Sequence, residues 1–180
     1  MAIISKKKPI KRRAIVLGIG NTIRLDDGVG IVVVETLENS LKNQLNVEFD
    51  TIQTGGVDVL SSIDGFDFAV IVDAAFMNAE AGDAKWLSTE LLDRDVRLYS
   101  SDHSASVLET ISMAKSIDNL DILKEIAILG IQVKETKGFG EKLTDPVVKG
   151  AKIAFKMILD KLKEWDILEK DLVIRTPSLQ

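Results

Sequence analysis

The sequence predicts an α/β protein: a three-layer αβα sandwich around a twisted, mostly parallel sheet of about five strands. Three observations carry this. Short apolar runs alternate with segments of helical period along most of the chain. Residues 68–72 (FAVIV) are apolar at every position, as a central strand covered on both faces must be. The length, 180 residues, suits one domain with a full core and leaves little room for a second.

In order, residues 14–17 (AIVL) read as a buried strand that enters a tight loop at Gly18-Ile19-Gly20-Asn21. From Val29 the period changes. Val29, Val32, Val33, Thr36, Leu37 and Leu41 share one face of an amphipathic helix. One of Asp26 and Asp27 is expected to be its N-cap. Val47–Ile52 reads as a second strand. Gly55-Gly56 then breaks the chain before a short helix over Val57–Ile63. The apolar run 68–72 is the central strand, and Asp73 follows at its carboxyl end. Residues 84–88 form a weaker strand, suited to an edge. Ser106 and Glu109 stand three apart, as in a capping box, and open a helix to about Ile117 that can begin as early as His103. Residues 125–133 (EIAILGIQV) are a strand. Asp145-Pro146 reads as an N-cap with proline at the first helical position, and Val147, Ala151, Ala154, Phe155, Ile158 and Leu162 mark a long last helix.

Residues 1–13 hold six basic side chains and read as a solvated tail. Residues 14–165 are the expected single domain. Residues 166–180, with weaker pattern and Pro177, are an extension.

Composition removes several function classes. The net charge of −5 argues against a general nucleic-acid binder, which needs a basic surface. There are no cysteines, so disulfides, thiolate metal sites and cysteine nucleophiles are excluded. His103 is the one histidine, so any imidazole–metal bond must use it. No run of about 18 apolar residues exists, and no membrane span is expected. No apolar signal-peptide core follows the basic start, which leaves the cytoplasm as the expected compartment.

Three features carry chemistry. The loop from Gly18 to Gly30 lies between a strand and a helix, as a dinucleotide loop does. The third glycine of that motif is missing, with Ile23 in its place. Asp26 and Asp27 also stand where a pyrophosphate would sit, and they would repel it. They suit a cation. Asp73, at the end of a central strand, is well placed for a site because ligands bind beyond the carboxyl ends of such strands. His103 lies in a polar stretch, Ser100-Ser101-Asp102-His103-Ser104, at the mouth of a helix. Two carboxylates and one imidazole form a borderline-hard donor set for nickel, zinc, iron or manganese.

On these residues the chain resembles the hydrogenase maturation endopeptidases, which trim the large subunit of nickel–iron hydrogenases. The resemblance spans about residues 15–162. It rests on Leu17-Gly18-Ile19-Gly20-Asn21 with Asp26-Asp27-Gly28-Val29-Gly30, then Gly55-Gly56, Val70-Ile71-Val72-Asp73-Ala74, His103, and Leu129-Gly130-Ile131-Gln132. It implies that Asp27, Asp73 and His103 recognise nickel. In the family that metal belongs to the substrate, a large-subunit precursor, whose C-terminal extension is removed. It implies that Gly55 and Gly56 line the peptide groove. Asp26, or the unligated oxygen of Asp73, could then serve as general base. No GxSxG elbow supports a serine-protease reading beside Ser101 and Ser104. Two other readings stay open on the residues: a non-hydrolytic nickel-binding maturation chaperone, and a Rossmann-like nucleotide binder with Glu48 or Asp50 on a ribose.

Overall fold

A computed structural model of the chain describes residues 12–178 except 43, 54–56, 88–96, 99–106, 108–109, 112–124, 135 and 137. His103, Gly55, Gly56, Ser101 and Ser104 therefore lie outside the described residues. The elements run β1 (Ala14–Ile19), a 3-10 turn (Leu25–Gly28), α1 (Val29–Ser40), β2 (Val47–Ile52), α2 (Val57–Ile63), β3 (Phe68–Phe76), β4 (Ala84–Leu87), β5 (Arg97–Leu98), β6 (Glu125–Gln132) and α3 (Asp145–Glu164).

The sheet order is β2-β1-β3-β6-β4, with β5 paired to the end of β3. β2, β1, β3 and β6 are parallel to one another. β4 closes one edge antiparallel to β6, and β5 lies antiparallel to residues 75–76 of β3. The expected count of about five strands matches the main path, and the two-residue β5 adds a sixth among the described residues.

Side chains of successive strand residues point to opposite faces, and the core divides accordingly. Val16, Val70, Val72, Ala74, Leu129 and Ile131 pack under Val33 and Leu37 of α1 and under Ala154, Phe155, Ile158 and Leu162 of α3. Leu17, Ile19, Ala69, Ile71, Ala75 and Ile128 face Val59 and Ile63 of α2 on the other side. Val107 and Ile111, helical and fully buried, belong to this layer as well. They fall where the sequence predicts a helix after Ser106; most of its other positions are outside the described residues. Each large apolar side chain taken fully out of water contributes on the order of 2 kcal/mol.

Three local expectations change. The central strand does not stop at Val72 but runs on to Phe76, because its far half pairs with β6 up to Ala75–Gln132. Neither Asp26 nor Asp27 is the N-cap of α1. Both lie inside the 3-10 turn, and the cap position falls on Gly28 with no side-chain bond. The turn runs straight into the helix: the Val29 N–H already bonds the Asp26 carbonyl. Asp145 is not the cap of α3 but its first residue, with Thr144 at the cap position. The domain's packing also continues past Trp165, which stacks on Phe68 at 4.9 Å between ring centroids. Ile167 and Leu168 are buried in the same core layer as α1 and α3, and Lys163 Nζ donates to the Leu172 carbonyl at 2.7 Å.

Candidate active site

The chain leaves β1 through α1, which covers one face of the sheet, and returns at β2. It then leaves β2 through α2, which covers the other face, and returns at β3 on the opposite side of β1. Two crossovers on opposite faces leave a crevice beyond the carboxyl ends of β1 and β3, where open α/β sheets bind ligands. Asp27 comes from the loop after β1. Asp73 lies on β3 one residue beyond Val72, which is the last residue paired with β1 through Gly18.

The glycines of the first motif set this geometry. At Gly30 a β-carbon would stand 2.4 Å from both the Ile19 carbonyl oxygen and the Val72 carbonyl oxygen. The first turn of α1 thus rests directly on the ends of β1 and β3, and only a residue without a side chain fits. Gly20, at φ +150°, takes a conformation that suits glycine, and a β-carbon there would meet the Asp27 carbonyl oxygen at 2.1 Å. The pattern that resembles a phosphate loop is a close-packing device that seats Asp27.

All three aspartates are buried. Asp26 and Asp73 are fully inaccessible and Asp27 is 4% exposed. Removing a carboxylate from water is expensive, so each must be met by donors or by a cation.

Asp26 is met by donors. It accepts hydrogen bonds from the Thr144 amide at 2.7 Å, the Thr144 hydroxyl at 3.0 Å and the Lys134 amide at 3.1 Å. Both carboxylate oxygens are engaged by these three donors, which lie at the two ends of the loop between β6 and α3. This geometry favours a clamp between loops over a general base. It also explains the missing side-chain cap on α3, since the Thr144 hydroxyl turns to Asp26 instead.

A strand residue's neighbours on its own face are the residues two away. Asp73 therefore shares the α2 side of the sheet with Ile71 and Ala75, the layer that also buries Val107, four residues after His103. Its register partner on β6 is Gly130, where a β-carbon would come within 3.0 Å of Met77 Sδ and Ala75 Cβ. Gln132 then secures the segment after β3. Its Oε1 accepts from the Met77 amide at 2.7 Å and the Ala79 amide at 3.4 Å, and its Nε2 donates to the Val133 carbonyl at 3.1 Å. The sequence motif includes Gln132 without giving it a role, and nothing in the sequence singles out Thr144. A glutamine that closes an apolar strand is a usable signal for the former. The latter reads as part of an ordinary helix start, and no local pattern marks it.

Asp27, in the turn after β1, and Asp73, on the neighbouring β3 just past its pairing with β1, thus come from adjacent strand connections. Among the described residues there is no group of three His, Cys, Asp or Glu able to hold a metal. The two carboxylates can supply hard oxygen ligands or accept a proton. The acids expected on a ribose are engaged elsewhere: Glu48 pairs with Arg13 at 2.5 Å, and Asp50 accepts from Ser62 Oγ at 3.3 Å.

The fold is that of a small α/β protein with a mostly parallel sheet and buried aspartates on the β1/β3 side of it. The family model of the hydrogenase maturation proteases matches residues 31–161, and the chain belongs to that family. It is accordingly a hydrogenase maturation endopeptidase, a peptide-bond hydrolase. The chain is 25% identical over 169 residues to the hydrogenase expression/formation protein HupD of Thiocapsa roseopersicina, covering 92% of this chain and 76% of that one. It is 27% identical over 162 residues to the coenzyme F420 hydrogenase subunit delta of Methanothermobacter thermautotrophicus, covering 86% and 97%. Among solved structures, the NiFe hydrogenase maturation protease HybD from Thermococcus kodakarensis superposes with a TM-score of 0.61 at 27% identity, covering 83% of this chain and 98% of that one. The E. coli maturating endopeptidase HybD gives 0.69 at 23% identity, covering 85% and 93%, and shares the fold. No helix among the described residues is long and apolar enough to cross a membrane.

Proposed function

We propose that this endopeptidase removes the C-terminal extension from the nickel-loaded precursor of a nickel–iron hydrogenase large subunit in the cytoplasm. In this reading Asp27, Asp73 and His103 recognise the nickel that the substrate brings. The observation that carries it is the burial of Asp73, on β3 just past its pairing with β1, and of Asp27, in the turn that leads from β1 into α1. One buried carboxylate on β3 and one from the turn after β1 suit a cation that arrives with the substrate, since they are set in place before it binds.

Hydrolysis adds water to the carbonyl carbon, breaks the C–N bond and delivers a proton to the leaving amine. Nickel held by the precursor would position the chain over the crevice. The proton from the attacking water would pass to a carboxylate. Asp73 is better suited to this than Asp26, whose oxygens hold Thr144 and Lys134 in the loop clamp. Gly55 and Gly56 would let the peptide backbone approach closely.

The test is the mass of nickel-loaded precursor after incubation with the protein. A product shortened at its C-terminus, formed only when nickel is present, supports the reading. Binding without any change in mass would favour a maturation chaperone and overturn it.

A further inference from the structure

Asp27 stands in a turn that is gripped from two sides. On one side the turn packs on the chain just before it: a β-carbon at Gly28 would stand 2.9 Å from Thr22 Cα. On the other side it is held by the loop between β6 and α3. The Leu25 amide donates to the Gly140 carbonyl at 2.8 Å, and the Gly140 amide donates to the Ile23 carbonyl at 2.9 Å. Leu25 is kept at φ +53°, a left-handed conformation that leucine does not favour. Its side chain fills the space that a β-carbon at Gly140 would need, with Cδ2 2.6 Å from that position. The next residue, Asp26, adds its three bonds to Lys134 and Thr144.

The far end of this grip leads to Asp73. The Lys134 amide that meets Asp26 follows Val133, whose own amide donates to the Ala75 carbonyl at 3.2 Å. Ala75 lies two residues beyond Asp73 on β3, on the same face of the sheet. Two hydrogen bonds and a short length of backbone therefore join Asp73 to Asp27 by way of β6, in addition to the direct pairing of β1 with β3. A left-handed leucine persists only where its surroundings over-determine it, so the turn shifts when the surrounding bonds are removed.

We propose that Leu25, Asp26 and Thr144 are positioning residues: they fix Asp27 relative to Asp73 and so set the site's preference for a precursor that carries nickel. The proposal rests on the nickel reading above. None of the three has to touch the metal. Groups that hold a metal ligand in place commonly contribute about 10–100-fold to metal affinity, because a carboxylate displaced by about 1 Å no longer meets the cation.

The experiment uses the full chain and two readouts. The first is the ratio of precursor affinities with and without nickel, read by rapid-mixing titration before turnover. Asp26→Asn sets an NH2 group against the Lys134 or Thr144 amide and should lower that ratio about tenfold. Thr144→Val should lower it about threefold, and Thr144→Ser, which keeps the hydroxyl, should restore it. Ile158→Val, a change in the buried core of α3 with a destabilisation similar to that of Thr144→Val, should leave the ratio as in the wild type. The second readout, amide exchange, needs no precursor. Thr144→Val should speed exchange at Leu25, Asp27 and Val29 about fivefold relative to Val16 inside β1. An unchanged ratio in Thr144→Val, or a ratio lowered as much by Ile158→Val, would overturn the proposal. A wild type without preference for nickel-loaded precursor would sink the nickel reading. The exchange rates then decide the grip alone, which stands if they rise and falls if they do not.

Discussion

The Thr144 amide and hydroxyl both donate to the buried carboxylate of Asp26, at 2.7 and 3.0 Å, across 118 residues of sequence. That pair of bonds joins the turn before α1 to the start of α3 and closes the carboxyl end of the sheet. Asp26→Ala should leave the Lys134 and Thr144 amides without their acceptor and cost about 2–4 kcal/mol. Thr144→Val keeps the amide bond and should cost about 1 kcal/mol. Urea unfolding of the two variants against wild type checks both the size and the order.

Gly30→Ala places a methyl 2.4 Å from two backbone oxygens, on Ile19 and Val72, neither of which can rotate away. The expected cost is about 3 kcal/mol or more, with insoluble expression as the extreme outcome. Gly65→Ala serves as the comparison. Nothing stands within 4 Å there, and only its φ of +79° opposes a side chain, which costs about 1 kcal/mol. Thermal denaturation should rank the two well apart; equal melting temperatures would mean that α1 does not rest on the strand ends as described.

Asp27→Asn and Asp73→Asn are nearly isosteric and remove a buried charge. Each should abolish processing, at least a hundredfold by the usual scale of proton-transfer groups, about 10²–10⁴-fold. Each should leave the melting temperature within a few degrees of wild type or above it, since sites built for function commonly cost stability. Processing rate and calorimetry together distinguish this from simple unfolding.

Phe155 on α3 is fully buried, and Ile153, two residues away, is 49% exposed. Phe155→Ala should cost about 3–5 kcal/mol through lost transfer energy and the cavity left behind. Ile153→Ala should fall within about 0.5 kcal/mol of wild type. Denaturant midpoints with unchanged slope provide the measurement.

Gln132→Leu keeps the volume but removes the acceptor for the Met77 amide. The segment after β3 should loosen, at a cost of about 1–3 kcal/mol. Amide exchange at Met77 and Ala79 should speed up by more than at residues inside β1.

Most of the architecture was legible in the chain because it follows from local periodicity. Val47–Ile52 and Val57–Ile63 have the bounds that their apolar spacing predicts, and the edge strand ends within one residue of its expected end. The end of β3 was not legible. Asp73 breaks the apolar run and so resembles a strand terminus, yet pairing with β6 carries the strand to Ala75 and pairing with β5 to Phe76. The helix caps failed for a related reason. Asp26, Asp145 and Thr144 each have a side chain able to cap, and which donor meets which acceptor depends on loops that approach from far along the sequence.

By itself the sequence determined the alternation of strands and helices, the single histidine and the absence of thiol chemistry, and two aspartates next to strand ends. It did so because hydrophobic period and residue inventory are properties of the chain alone. Only the tertiary structure decided that the turn bearing Asp27 follows a strand that neighbours the one bearing Asp73, and that Asp26 clamps two loops. Those facts depend on strand order and on glycines that let backbones touch, and no local pattern encodes which distant segment arrives.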